Sequence, residues 1–397
     1  MKNFIFISPN FPDVYYKFCN SLKERGFNVL GILDCHREEL TPQLKAALTH
    51  DYFVSSIGNY EEVDRAVKFF KEKYGEIDYL ESNNEFWLEQ DARLRLDNNV
   101  LNGLRPDDMA NIKFKSKMKA CFEKAGVKVA RYQLVSTIEK SLEFIAKVGY
   151  PVFVKPDNGV GANDSYAIRN EEELKAFHNR NLPTTYIMEE FLEGEVMSFD
   201  GIADNDSNVV ICFNEHFPID NAEILKYDLD DYYYALSEFD EKFKEMGKRV
   251  VKSFGIKKRC FHIEFFKLSK PRPGLAEIGE IVAMEVNMRP PGGNTPDLLS
   301  IALNASFYNC YGDIIAYNEI KEDINKEKYV AMGPSRKNRY KYKHSDEEIF
   351  AKYKDNLKMY GKYNKEIAME MGDVYYFGQF KTLEEAMEFE EFVREKI

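Results

Sequence analysis

A mixed α/β and α+β protein is what this sequence predicts, with a parallel doubly wound half-domain leading into a larger region of antiparallel strands and helices. Three observations carry that expectation. Short apolar runs alternate with helical segments over residues 1–110, the pattern of parallel βαβ units. Around residues 198–213 two strand-like runs flank a turn-rich loop, the pattern of a hairpin. The length of 397 residues exceeds one ordinary hydrophobic core, so two or three domains are expected.

In chain order, Phe4 to Ser8 reads as a strand, Val14 to Arg25 as a helix and Asn28 to Leu33 as a strand. Tyr52 to Ser55 and Ile77 to Glu81 are further strands, with a helix from Tyr60 to Lys73 between them. The turn after the first strand is Ser8-Pro9-Asn10-Phe11-Pro12. It lacks Gly-x-Gly-x-x-Gly, which removes the main support for a dinucleotide-binding dehydrogenase. Glu81-Ser82-Asn83-Asn84-Glu85 lies at a strand end, where open parallel sheets contact substrate. Glu85 is the substrate candidate there; capping of the next helix by Asn83 or Glu85 is an equal reading.

Further on, Tyr150-Pro151-Val152-Phe153-Val154-Lys155-Pro156 is a short apolar strand closed by a lysine. The loop after it holds Gly159 and Gly161, and a second strand-like run spans Tyr166 to Ile168. A lysine facing a glycine loop suits a nucleotide phosphate, as a point charge beside free backbone N–H groups. Asp157 and Asp164 in that loop would repel phosphate unless they point away or face a cation. Tyr186-Ile187-Met188-Glu189-Glu190-Phe191-Leu192-Glu193-Gly194 is a strand entering an acidic hinge, whose main chain at Glu189, Glu190 and Leu192 can meet an adenine edge.

After the hairpin, His216 to Phe239 reads as irregular and rich in aromatics and acids, either over the site or as a surface loop. A helix from Glu241 to Phe254 is ended by Gly255. Two strands then carry chemistry. Met284-Glu285-Val286-Asn287-Met288-Arg289 places Glu285, Asn287 and Arg289 on one face by strand alternation. Upstream, Cys260-Phe261-His262-Ile263-Glu264 offers Glu264 as another ligand. Carboxylates and an amide hold Mg²⁺, and an arginine beside them neutralises phosphate oxygens. Gly292 and Gly293 follow, where backbone can approach a ligand. Either strand alone reads equally as the polar face of an exposed strand. His262 fits a residue behind the ligands better than a ligand, because Mg²⁺ prefers oxygen.

Toward the C-terminus, Tyr329 to Met332 looks like a strand. The basic run Ser335 to His344 reads as a solvated edge or a loop closing over an anionic ligand. Asp346 starts a helix, Gly372 to Phe380 is a hairpin strand, and Thr382-Leu383-Glu384-Glu385 opens a last helix with a capping pattern.

Lysine, glycine loop, acidic hinge, Glu264, then Glu-x-Asn-x-Arg: in this order the motifs resemble the ATP-grasp superfamily, carboxylate–amine ligase type. The branches it resembles are the L-amino acid ligases and the biotin carboxylase and carbamoyl-phosphate synthetase enzymes. The family places an ATP-binding lysine eleven residues before a glycine, which is Lys115 before Gly126 here. It commonly has a ribose-facing glutamate two residues after the hinge glycine; this chain has Val196 there, with Glu195 as the candidate one place earlier. The resemblance implies a pre-ATP-grasp domain over 1–110, an ATP-grasp domain over 111–310 with a lid at about 127–192, and an α+β appendage over 311–397. It implies ATP and one or two Mg²⁺ (or Mn²⁺), held by Lys115, Lys155, Glu264, Glu285 and Asn287, with Arg289 catalytic. The implied reaction joins a small carboxylate to an amine through an acyl phosphate, giving ADP and phosphate. Bicarbonate-using enzymes are the alternative within the family, though Pro290-Pro291-Gly292-Gly293-Asn294 lacks the Glu-His-rich continuation of biotin carboxylases. A non-catalytic ATP-binding module is the alternative of another class.

Composition agrees with a cytoplasmic enzyme. The formal net charge of −12 argues against nucleic acid. No apolar run approaches the ~18 residues of a membrane span, and the start Met1 to Ile7 is too short and unflanked for a signal peptide. The six cysteines are scattered without a Cys-x-x-Cys pair, which favours reduced thiols and no zinc site. Small-molecule substrates are the expected partners, and a homodimer is compatible with the resemblance.

Overall fold

A computed structural model describes residues 1–397 except 160–163, 183, 220, 365 and 366, and except the side chains of 221, 222 and 370. The first four strands are β1 (Lys2–Ile7), β2 (Phe27–Leu33), β3 (His50–Phe53) and β4 (Tyr79–Glu81). They form a parallel sheet in the order β3-β2-β1-β4. Their near-continuous apolar runs follow from burial on both faces by helices. A helix over Pro42–Ala47, capped by Thr41, adds to the expected elements.

A small antiparallel sheet comes next, β5 (Tyr132–Leu134), β6 (Val152–Pro156), β7 (Tyr166–Ile168) and β8 (Tyr186–Glu190), ordered β5-β8-β6-β7. Helices Ile138–Val148 and Glu171–His178 contribute to its apolar layer, where Phe144, Leu174 and Phe177 meet Val152, Val154 and Met188.

The remaining strands are β9 (Gly194–Ala203), β10 (Val209–Phe217), β11 (Tyr232–Leu236), β12 (Arg259–Leu268), β13 (Ile281–Asn287), β14 (Val330–Arg336), β15 (Leu357–Lys362) and β16 (Val374–Phe380). They make one antiparallel sheet, β13-β12-β9-β10-β11-β14-β16-β15. The C-terminal strands thus extend the sheet that carries Glu264 and Glu285. The largest core joins this sheet to the N-terminal one through Phe4, Phe18, Ile202, Phe213, Leu298, Phe307 and Phe377. The helix Glu241–Phe254 has the expected limits, with Asp240 accepting from the Phe243 amide at one end and Gly255 at φ +63° closing the other.

Two readings of the C-terminal half change. Tyr232–Leu236, within the stretch read as irregular, is a strand, because its residues pair with β14 from Tyr232↔Pro334 to Leu236↔Val330. The basic run is only partly a solvated edge: Asn338, Arg339, Lys341 and Lys343 are exposed, but its first residues are not. Arg336 ends β14 and is buried, Lys337 is 1% exposed, and Lys337 Nζ lies 2.9 Å from Asp228 Oδ1. Arg339 and Tyr340 also turn to Asp228, and Tyr342 donates to Asp230. The acids of the irregular stretch and the bases of the run neutralise each other. Among the described residues no helix is long and apolar enough to cross a membrane.

Candidate active site

Strand pairing sets the oxygen-rich face. β12 and β13 run antiparallel with Glu264 opposite Glu285 and His262 opposite Asn287. Directly opposed residues share a sheet face, so the alternation read from the sequence brings all three expected ligands together. On the other side of β12, Asp200 of β9 lies opposite His262 and Ser198 opposite Glu264. His262 Nε2 is 3.0 Å from Glu264 Oε1, His262 Nδ1 is 2.6 Å from Asp200 Oδ1, and Asn287 Nδ2 donates to Glu264 Oε1 at 3.5 Å. Burial alone would lower the pKa of His262, yet Asp200 and Glu264 hold it up at about 10. Burial opposes ionisation of Glu264, but the imidazolium outweighs it and keeps that carboxyl below the usual range. Two carboxylates and an amide oxygen are hard donors and fit Mg²⁺, whereas a histidine with both nitrogens on carboxylates is no ligand. Cys260 is buried and its thiol is pushed well up by desolvation, so it is not an activated nucleophile.

The residues expected to meet a nucleotide lie on the helix Lys115–Lys124 and on β6 and β8. Lys115 Nζ donates to the Gly159 carbonyl at 3.0 Å and lies 3.4 Å from Glu285 Oε2. It therefore links the loop after β6 to the oxygen-rich face. Lys155 Nζ is 3.0 Å from Glu189 Oε2, and Lys119 Nζ is 2.6 Å from Glu189 Oε1. Burial pushes Glu189 up, but the two ammonium groups dominate and hold it at about 2. Lys119 was not among the expected residues. Asp157 is turned away from the loop, accepting from the Ser116 amide at 2.7 Å and its hydroxyl at 2.8 Å, which settles the charge conflict at that position. Gly161 lies outside the described residues.

Three hinge residues separate. Glu189 faces the lysines. The side chain of Glu190 does not reach that group: it is 2% exposed, accepts from Arg131 Nη2 at 2.7 Å and from the Arg131 amide at 2.7 Å, and has Arg272 Nε at 3.7 Å. Adjacent strand residues point to opposite faces, so only the main chain of Glu190 stays available to a ligand. Leu192 packs against the cluster of Leu268, Ala276 and Val282. Glu195 is paired with His216, Nδ1 to Oε1 2.6 Å, and the His216 ring stacks on Tyr234 with centroids 4.7 Å apart. Breaking a buried ion pair leaves one charge uncompensated. Lys119→Met is therefore expected to lower unfolding stability by about 3 kcal/mol, at the low end of such losses because Lys155 remains on Glu189. Urea unfolding checks it; an unchanged midpoint would show that Lys119 does not hold Glu189.

On the acceptor side, Glu85 is buried, with Lys113 Nζ 2.9 Å from its carbonyl and 3.4 Å from its carboxylate. The Met288 amide donates to Glu85 Oε2 at 3.2 Å. Burial raises its pKa, partly offset by Lys113 and Arg289. The helix cap at this position is Asn84, which accepts from the Phe86 amide at 3.0 Å, so Glu85 is free of that role. Arg289 donates from Nη1 to the Pro290 carbonyl at 2.8 Å, and its charge is felt by Glu85 and Glu264. Gly293 adopts φ +54°, and a Cβ on Gly292 would meet nothing within 4 Å, so the turn after Arg289 opens toward space.

Residues 112–293 match the model of an ATP-grasp domain. Alanine–anticapsin ligase of Bacillus subtilis (strain 168) is 26% identical over 242 residues, covering 55% of this chain and 51% of that protein. The chain thus spans about half the length of that relative. Among solved structures, an L-amino acid ligase from Bacillus licheniformis superposes with TM-score 0.69 at 15% identity, covering 98% of this chain and 96% of the other. An N5-carboxyaminoimidazole ribonucleotide synthetase from Thermotoga maritima gives TM-score 0.70 at 18% identity, covering 99% and 98%. The stretch that matches the ATP-grasp domain model, residues 112–293, is set between the parallel N-terminal sheet and the C-terminal strands of the central sheet.

Proposed function

We propose that the chain is an ATP-dependent ligase that joins a small carboxylate to an amine, producing ADP and phosphate. The supporting observation is that Glu264, Glu285 and Asn287 share one face of β12 and β13, with Lys115 3.4 Å from Glu285 and with Lys155 and Arg289 in electrostatic range of Glu264. In this reading Lys115 and Lys155 carry the nucleotide phosphates, and the hinge main chain from Glu189 to Leu192 meets the adenine. Glu264, Glu285 and Asn287 are the residues that would hold Mg²⁺, which supplies charge neutralisation at the phosphates when bound.

The rest of the work falls to the chain's own groups. A substrate carboxylate attacks the γ-phosphorus, forming an O–P bond as the bond to ADP breaks, and the acyl phosphate results. The amine then attacks the acyl carbon, phosphate leaves, and the amine loses a proton to give the amide. Arg289 neutralises the transferring phosphoryl group and the oxyanion that follows. Glu85, buried beside Arg289, and the open Gly292–Gly293 turn border the acceptor space. Such chemistry is mainly positioning and electrostatics. Nucleotide chromatography of a reaction with Mg-ATP and paired amino acids and other small acids tests it. ADP and phosphate formed only with a productive pair are expected; AMP as the stoichiometric product would refute the mechanism.

A further inference from the structure

We infer that His262 is a positioning residue for Glu264 and is itself set by Asp200, an inference that rests on reading Glu264 as a metal ligand. The ladder puts Asp200, His262 and Asn287 in one row across β9, β12 and β13, and Ser198, Glu264 and Glu285 in the next. Within that lattice the ring has no freedom. Its Nδ1 is 2.6 Å from Asp200 and its Nε2 3.0 Å from Glu264. Each ring nitrogen faces a carboxylate oxygen, so the ring is fixed from both sides. Asp200 is fully buried, and its other oxygen accepts from the Ser198 hydroxyl. The Asn287 amide approaches the same Glu264 Oε1 at 3.5 Å. Oε1 is held from two sides, which leaves Oε2 as the oxygen presented to a cation.

The pairing also answers an electrostatic problem. Glu264 and Glu285 stand directly opposite each other, where like charges repel. Each has a basic side chain beside it: His262 for Glu264, and Lys115 for Glu285 at 3.4 Å. His262 therefore contributes orientation to Glu264.

The test measures binding by the full chain, using Mn²⁺ followed by electron paramagnetic resonance and MgADP by calorimetry. Loss of such an outer partner typically costs 10–100-fold in metal affinity, and His262→Phe is expected to weaken Mn²⁺ by about that factor. His262→Gln, whose amide can still donate to Oε1, is expected to recover most of it. In a Glu264→Gln background His262→Phe is expected to change little, since it acts through that carboxylate. Where His262→Phe strands Asp200 and fails to fold, the double variant Asp200→Asn/His262→Phe removes the buried charge and is expected to show the same loss. Wild-type Mn²⁺ affinity in either variant, or an equal loss with and without Glu264, overturns the positioning role. A wild-type protein that binds neither Mn²⁺ nor MgADP overturns the reading of Glu264 instead.

Discussion

Glu285→Ala is expected to remove ligase turnover while leaving the fold intact. Of the proposed metal ligands, Glu285 has Lys115 at 3.4 Å and Glu264 directly across the ladder. Losing a ligand of a charge-neutralising ion removes several kcal/mol of transition-state stabilisation, which corresponds to about 10³-fold or more in rate. The fold should survive because Glu285 is half-buried, while Lys115 keeps its bond to the Gly159 carbonyl. Steady-state turnover alongside thermal unfolding checks both halves. A variant within tenfold of wild type would remove Glu285 from the catalytic face.

Arg289→Lys should separate rate from binding. The guanidinium acts electrostatically on both Glu85 and Glu264 and is anchored by the Pro290 carbonyl at 2.8 Å. A lysine supplies the charge but not the planar fork. Loss of one preorganised contact of this kind costs on the order of 10²–10³ in kcat. ATP affinity should change little, because the phosphates keep Lys115 and Lys155. Kinetics with nucleotide binding measured separately decides it. Near-wild-type kcat, or a loss confined to ATP binding, would show Arg289 to be structural.

Periodicity made much of this legible. Alternation along two strands was enough to gather Glu264, Glu285 and Asn287, because pairing partners in a ladder share a face. The same rule, applied at the hinge, separates Glu189 from Glu190; reading both as one acidic cluster obscured that. Lys119 was hidden because a lysine on a short helix reads as solvated surface. A signal existed: Lys115 and Lys119 stand at i and i+4, where like charges repel unless an anion lies nearby, and Glu189 is that anion. Strand Tyr232–Leu236 was missed for the opposite reason. Its tyrosines and flanking aspartates resemble a loop, and pairing with Val209–Phe217 on one side and with Val330–Arg336, about a hundred residues away, on the other makes it a strand. The basic run from Ser335 failed likewise, since its counter-charges Asp228 and Asp230 are remote in sequence.

The continuity of the central sheet has a bearing on what can be inherited or transplanted as a module. The recognisable signature, residues 112–293, holds β9 to β13, five of the eight strands. Cut at its limits it would bare the backbone of Tyr232–Leu236 as a sheet edge. It would also strip Ile202, Ile211 and Phe213 of the cover given by Phe18, Leu303 and Phe307. A lineage could therefore retune the acceptor space through Glu85 or the turn at Gly292, but it could not pass the signature to another protein as a free-standing cassette. Its flanks are part of its interior.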